Sequence, residues 1–292
     1  MRIALLTLFT LALAVPSPSP QEEPPLPQEL SLPEEPGLPE EPPLSAEYDP
    51  TIITIPVNTY LYWVTKLFPL DRHLDVVRDL YMAAEQRVAS ILKIQTTRHI
   101  TKGDCPDIAI LFARGTNEAG NIGMVAGPSF YEHVKKEAGK NKTVEIQGLD
   151  YEANLKGFLR GGDKDGTSKM RSGIRGYLKK CPKTKLVVSG YAQGAQIVRA
   201  AIRWMMPFEL RKVSSFVLFA DPRYPDQLTK VPKATQLSIC HEGDSICHGS
   251  NMLHLAHLTY IWDTDKAAKF VMAQMKGMLP DTHQTPQTPA QA

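Results

Sequence analysis

A pentapeptide, Gly190-Tyr191-Ala192-Gln193-Gly194, ends one apolar run and opens a helical pattern. It has the frame of a nucleophile elbow, G-x-S-x-G, in which a strand turns sharply into a helix. The glycines are needed because the central residue is strained and crowded by strand and helix. The amide after that residue, Gln193 N–H, is left free to bind a developing oxyanion. Here the central residue is Ala192, so a methyl group stands where a hydroxyl would attack. Further along, Cys240-His241-Glu242-Gly243-Asp244-Ser245-Ile246-Cys247 places an acid between two cysteines, and His257 follows in His257-Leu258-Thr259-Tyr260. A carboxylate that fixes the tautomer of an imidazole, and an imidazole that takes the nucleophile's proton, perform acyl transfer. The residues therefore spell that chemistry with the attacking oxygen missing.

Other residues compete for these roles. Ser189 precedes the elbow by three positions and reads as a strand hydroxyl satisfied in the core, not a substitute nucleophile. Asp221, in Ala220-Asp221-Pro222, ends a strand and is the alternative acid; its other reading is a cap on the following turn. His248 and His254 read as surface or supporting residues, and Tyr191 and Trp204 as core.

Elements must hold these groups in place. Ile108 to Ala113, Thr143 to Gln147, Lys185 to Ser189, Phe216 to Ala220 and Gln236 to Ile239 are short apolar runs without polar alternation. Helical patterns separate them at about 125–139, 166–179, 194–206 and 265–276, the last opened by Thr264 and Asp265 and closed by Gly277. Buried strands spaced by helices predict a mainly parallel sheet of about five strands covered on both faces, a three-layer αβα sandwich of the α/β class. In such sheets ligands meet the C-terminal ends of the strands, where the elbow lies. Asp71 to Lys93 places Leu74, Val77, Tyr81, Ala84, Val88, Ile91 and Leu92 on one helical face and Asp75, Arg78, Asp79, Glu85 and Arg87 on the other. That helix is expected to pack on the flank of the sheet. Residues 51–68 are apolar but ambiguous, so 51–99 is read as an N-terminal helical extension.

The ends are different in kind. Met1-Arg2, the apolar run Ile3 to Leu13 and Ala12-Leu13-Ala14 form a signal peptide, with cleavage expected after Ala14. No other stretch approaches the length of a membrane span, so a secreted, extracellular and soluble chain is expected. Residues 16–50 hold 12 of the 24 prolines and nine acidic residues with no Lys or Arg. Such a composition cannot build a core, so 15–50 reads as a flexible Pro/Glu-rich linker and 278–292 as a second frayed tail. The remainder carries about ten net positive charges. They are spread along the sequence, which argues against nucleic-acid binding.

Four cysteines in an oxidising compartment suggest two disulfides. Cys240 and Cys247 would close a short ring that fixes the acid, and Cys105 and Cys181 would staple distant segments, although three pairings are possible. Zinc is the alternative, because His241 and His248 each follow a cysteine. Asn141-Lys142-Thr143 is a glycosylation sequon expected on a surface turn.

Together these residues resemble the cutinase family of extracellular serine esterases, whose elbow, acid and histidine follow the chain order of α/β-hydrolases. The resemblance covers roughly 100–277. Phe112-Ala113-Arg114-Gly115-Thr116-Asn117-Glu118 looks like that family's motif after the first strand, and Val144 to Gly148 and Gly166-Thr167-Ser168 also match. The resemblance implies Asp244 as acid, His257 as base, Thr116 and Gln193 as oxyanion donors, and bridges Cys105–Cys181 and Cys240–Cys247. It implies a monomer acting on cutin or other esters, with no metal, no cofactor and no large lid. Thr116 has a second reading, capping its own loop; Glu118 is expected to hold that loop. Ala192 departs from the family at the nucleophile. Three function classes follow: an ester hydrolase scaffold that has lost its serine, a pseudoenzyme binding esters, lipid or wall ligands without turnover, and a wall protein whose Pro-rich segment makes the contacts.

Overall fold

Apolar runs become strands and the amphipathic stretches between them become helices in the computed structural model, which describes residues 55–100 and 105–276. The expected signal peptide, the expected 15–50 linker, residues 51–54, the expected helix stop at Gly277 and the expected 278–292 tail lie outside the described residues. In chain order the elements begin with α1 (Val57–Leu67), β1 (Arg72–His73) and α2 (Leu74–Ile91). The main alternation follows: β2 (Ile108–Ala113), α3 (Gly127–Ala138), β3 (Val144–Gly148), α4 (Leu155–Leu159), α5 (Lys164–Lys180), β4 (Lys185–Tyr191) and α6 (Gln193–Arg203). After these come α7 (Pro207–Leu210), β5 (Ser215–Phe219), β6 (Gln236–Ile239), β7 (Met252–Leu253) and α8 (Thr264–Lys276).

Five strands form one parallel sheet in the order β3-β2-β4-β5-β6. Alternate side chains leave its two faces, and helices bury both. Ile108, Ile110, Phe112 and Val187 pack with Phe130 and Val134 of α3 and Val271 of α8. Ala109, Leu111, Leu186 and Val188 pack with Met170 and Ile174 of α5 and Val198 and Ile202 of α6. Each fully buried Leu, Ile or Val contributes about 1.5–3 kcal/mol. The result is the expected αβα sandwich. Cys105 is bridged to Cys181, tying the start of β2 to the end of α5, and Cys240 to Cys247 in the loop after β6.

Three expectations change, and one stretch left open takes a definite form. The ambiguous stretch after residue 51 contains helix α1, which buries Tyr60 and Val64; Tyr60 donates its hydroxyl to the Leu258 carbonyl (2.6 Å). Helix α2 does not lie on the flank of the sheet but packs mainly against α1, α4 and β1. Strand β1 pairs antiparallel with β7, Arg72 opposite Leu253, and so clips α2 to the segment that leads into His257. Glu85 of α2 is not on the solvent face but fully buried, because its carboxylate accepts the Ala119 N–H (2.5 Å). Trp204 is not core: it ends α6 beyond the apolar stripe and is 68% exposed. No helix among the described residues is long and apolar enough to cross a membrane.

Candidate active site

β4 ends at Tyr191 and α6 begins at Gln193, leaving Ala192 alone to turn the chain. It does so at φ 50° and ψ −110°, a conformation that an L-residue holds only under local constraint, at about 1–3 kcal/mol. The constraint is visible. Ala192 N–H donates to the Phe219 carbonyl and Ala195 N–H to the Ala192 carbonyl, both at 3.0 Å. A Cβ at Gly190 would stand 2.4 Å from the Gly194 carbonyl carbon, and one at Gly194 would stand 1.9 Å from the Ala113 oxygen. Only glycine fits either place. Gln193 N–H opens α6 and is one of the amides that a helix start leaves without an intrahelical acceptor.

The Gln193 side chain ties the elbow to the loop after β2. Its Nε2 donates to Thr116 Oγ1 (3.0 Å) and to the Asn154 carbonyl (2.8 Å). A hydroxyl that accepts one bond keeps its own hydrogen to donate. Glu118 holds that loop: its carboxylate accepts from Gly115 N–H (2.6 Å), Met124 N–H and Val125 N–H (both 3.0 Å). Burial raises the pKa of Glu118 against the pull of those amides. Burial and then the adjacent Glu118 charge push the Glu85 carboxyl well above its usual range.

The acid and the imidazole come together from two loops. Asp244 Oδ2 accepts from His257 Nδ1 (2.9 Å) and Tyr260 hydroxyl (2.7 Å), and Oδ1 accepts from Ile246 N–H (3.1 Å). Burial pushes the Asp244 pKa up, but the His257 charge and hydrogen bond, with Tyr260 and Ile246, outweigh it and leave a net lowering. An ionised carboxylate only accepts, so Nδ1 donates to it in either form of the ring, and in the neutral form Nε2 carries the free lone pair. Tyr191 stacks on the imidazole (ring centroids 4.9 Å apart) and donates to the His257 carbonyl (2.7 Å). Ala192, His257 and Thr116 line one small cavity of about 10 Å³, room for roughly one water. Leu74 and Tyr81 of α2 also line it, beside Phe158, Tyr191 and Ile246.

The competing residues fall elsewhere. Asp221 is buried against Arg199 Nε (2.7 Å) and accepts Arg223 N–H (3.1 Å), so it caps its turn and does not meet His257. Ser189 donates to the Val217 carbonyl (2.8 Å) inside the sheet. His254 Nδ1 bonds Asp71 (2.8 Å), and His248 is exposed. Asn141 lies on an exposed turn between α3 and β3. Tyr260, whose hydroxyl holds Asp244, belongs to no motif in the sequence; its place three residues after His257 is the one signal of that role.

His241 lies behind this pair, stacked on Tyr260 (4.0 Å) and bonded through Nε2 to Asp263 and through Nδ1 to the Ala256 carbonyl (3.0 Å). The Asp263 hydrogen bond raises its pKa, over an opposing desolvation. A raised histidine contributes stability below its unfolded value, about 6.5, and loses it as pH rises through the folded value. Stability measured by urea unfolding should therefore fall from pH 6 towards alkaline pH, and Asp263→Asn should flatten that slope. An equally steep slope in the variant would count against the pairing.

A parallel sheet with a strained elbow at the end of β4, followed in the chain by a paired Asp and His, defines the α/β-hydrolase class. The chain belongs to the cutinase family, whose sequence profile, described as "Cutinase", matches residues 104–275. It is 36% identical over 216 residues to a cutinase of Hypocrea jecorina, covering 74% of this chain and 85% of that protein. With a cutinase of Botryotinia fuckeliana it shares 44% over 167 residues, 57% of this chain and 82% of the other. The solved structure of Trichoderma reesei cutinase in complex with a C11Y4 phosphonate inhibitor aligns with TM-score 0.64 at 35% identity, covering 75% of this chain and 97% of that one.

Proposed function

We propose that this chain is a secreted carboxylic ester hydrolase scaffold of the cutinase type that lacks its nucleophile. The observation that carries the proposal is the 2.9 Å bond between His257 and Asp244 in a cavity that Ala192 also lines. In the reaction such a site supports, Nε2 of His257 takes a proton from a hydroxyl at position 192 as that oxygen attacks the ester carbonyl. Asp244 steadies the imidazolium that forms, and the oxyanion is held by Gln193 N–H and the Thr116 hydroxyl. The imidazolium then returns the proton to the departing alcohol, and water repeats the cycle on the acyl group. Ala192 offers no oxygen, so neither step begins. The substrate class is an ester or lipid polymer such as cutin, met by a monomer without cofactor. Export by residues 1–14, the 15–50 linker, the 51–99 extension and glycosylation at Asn141 belong to the same proposal; the two disulfides support it.

The purified chain should release no burst of p-nitrophenol from p-nitrophenyl butyrate. A stoichiometric burst would place a nucleophile elsewhere and overturn the assignment of position 192. The second reading is a pseudoenzyme that binds esters, lipid or wall ligands without turnover; the intact cavity around a methyl group favours it equally, because a binder needs the pocket but not the oxygen.

A further inference from the structure

The positive charges that look scattered in the sequence are gathered by two helices. Lys164, Thr167, Ser168 and Arg171 occupy one stripe of α5, and Gln196, Arg199, Ala200 and Arg203 occupy the same spacing on α6. Residues three, four and seven apart share a helix face. α5 and α6 pack side by side, and these stripes line a groove of about 850 Å³ together with Arg160 and Trp204. No carboxylate among the described residues lines it. Arg199 is committed to Asp221, and Arg223 at the edge to Asp226 (3.0 Å). The nearby acids are also engaged: Asp163 caps α5 through Gly166 N–H (2.7 Å), and Asp165 pairs with Lys169 (2.7 Å). Among the described residues Arg160, Lys164, Arg171 and Arg203 have no ion-pair partner. A further feature sits with them: the exposed indole of Trp204.

We propose that this groove binds a stretch of acidic polysaccharide of the polyuronate class, a chain of sugar rings bearing carboxylates. Unpaired guanidinium groups match carboxylates with two parallel hydrogen bonds. The flat indole of Trp204 offers an apolar face to the C–H side of a sugar ring. A single-stranded nucleic acid would need a row of aromatic platforms for successive bases, whereas among the described residues Trp204 is the only exposed aromatic lining the groove. A lipid surface needs a protruding face, and these charges line a concavity between helices. Phe158 lines both this groove and the cavity at Ala192, so a polymer held here runs beside the ester site. The proposal does not rest on the hydrolase reading, because binding here needs no catalysis.

Isothermal titration of the full chain with oligogalacturonate tests it, with the fully methyl-esterified oligomer as the neutral control. Binding should appear at low salt, weaken as salt rises, and be absent for the neutral oligomer. Arg171→Glu with Arg203→Glu should weaken it by about tenfold or more, since hydrogen bonds to charged groups are the strong ones. Trp204→Ala should weaken it several-fold at fixed salt. Lys179→Glu with Lys180→Glu, at the far end of α5, should leave affinity unchanged, and all variants should unfold at the parental temperature. Equal binding of the neutral oligomer overturns the proposal. So does equal weakening by the Lys179 and Lys180 changes, or tighter binding of a single-stranded oligonucleotide or of anionic phosphatidylserine vesicles.

Discussion

Ala192→Ser should raise hydrolysis of a short p-nitrophenyl ester by about 10⁴–10⁶-fold over the parent chain, the scale of loss seen when triad hydrolases lose their serine. The expected gain is this large because nothing else has to be built. The elbow already holds φ 50° at position 192, so a new hydroxyl inherits a strained, projecting backbone. His257 is already oriented by Asp244 below, by the Tyr191 ring on its face and by the Tyr191 hydroxyl on its carbonyl. Serine adds one oxygen to alanine, and the small cavity beside it has room for roughly one water. Progress curves for parent and variant decide the point. Adding His257→Ala should return the rate to the parental background, because an unassisted serine is a weak nucleophile.

Glu118→Ala should destabilise the fold by roughly 3–9 kcal/mol, measured by urea unfolding, since three buried amides lose their acceptor at about 1–3 kcal/mol each. Gly115, Met124 and Val125 all donate to this one carboxylate. Set against a typical total of 5–15 kcal/mol, that loss threatens folding outright. Glu118→Gln keeps the shape and one acceptor oxygen and should lose less than Ala. If both variants unfold at the parental urea concentration, water or a neighbour replaces the carboxylate and the loop around Thr116 has another anchor.

The sheet was legible because its strands are run through with apolar residues on both faces, as in Ile108 to Phe112, and no helix carries that pattern for so short a length. The elbow was legible because two glycines four apart leave few other geometries once a strand precedes them. The place of α2 was not legible. Its periodicity says which face is buried, with Leu74, Tyr81 and Val88 correctly inside, but not what covers that face. The answer rests on a two-residue pairing of β1 with β7, far too short to leave a sequence signal. Glu85 was misplaced for a related reason: a carboxylate reads as exposed unless one knows that the Ala119 amide meets it. Trp204 was misplaced because size alone suggests burial, whereas its position as the residue ending α6 turns it to solvent. Tyr260 reaches Asp244 across loops whose paths no local pattern encodes.

An alkyl p-nitrophenyl phosphonate gives the most direct reading of whether an acid, a base and an anion cradle surround position 192. Attack by a hydroxyl there forms one oxygen–phosphorus bond and expels one p-nitrophenolate, leaving a stable adduct that intact mass reports. The parent chain should gain no mass. Ala192→Ser should gain one phosphonyl group per chain and release one equivalent of p-nitrophenolate, and Ala192→Ser with His257→Ala should gain none on the same timescale. A folded Ala192→Ser protein that stays unlabelled would contradict the account.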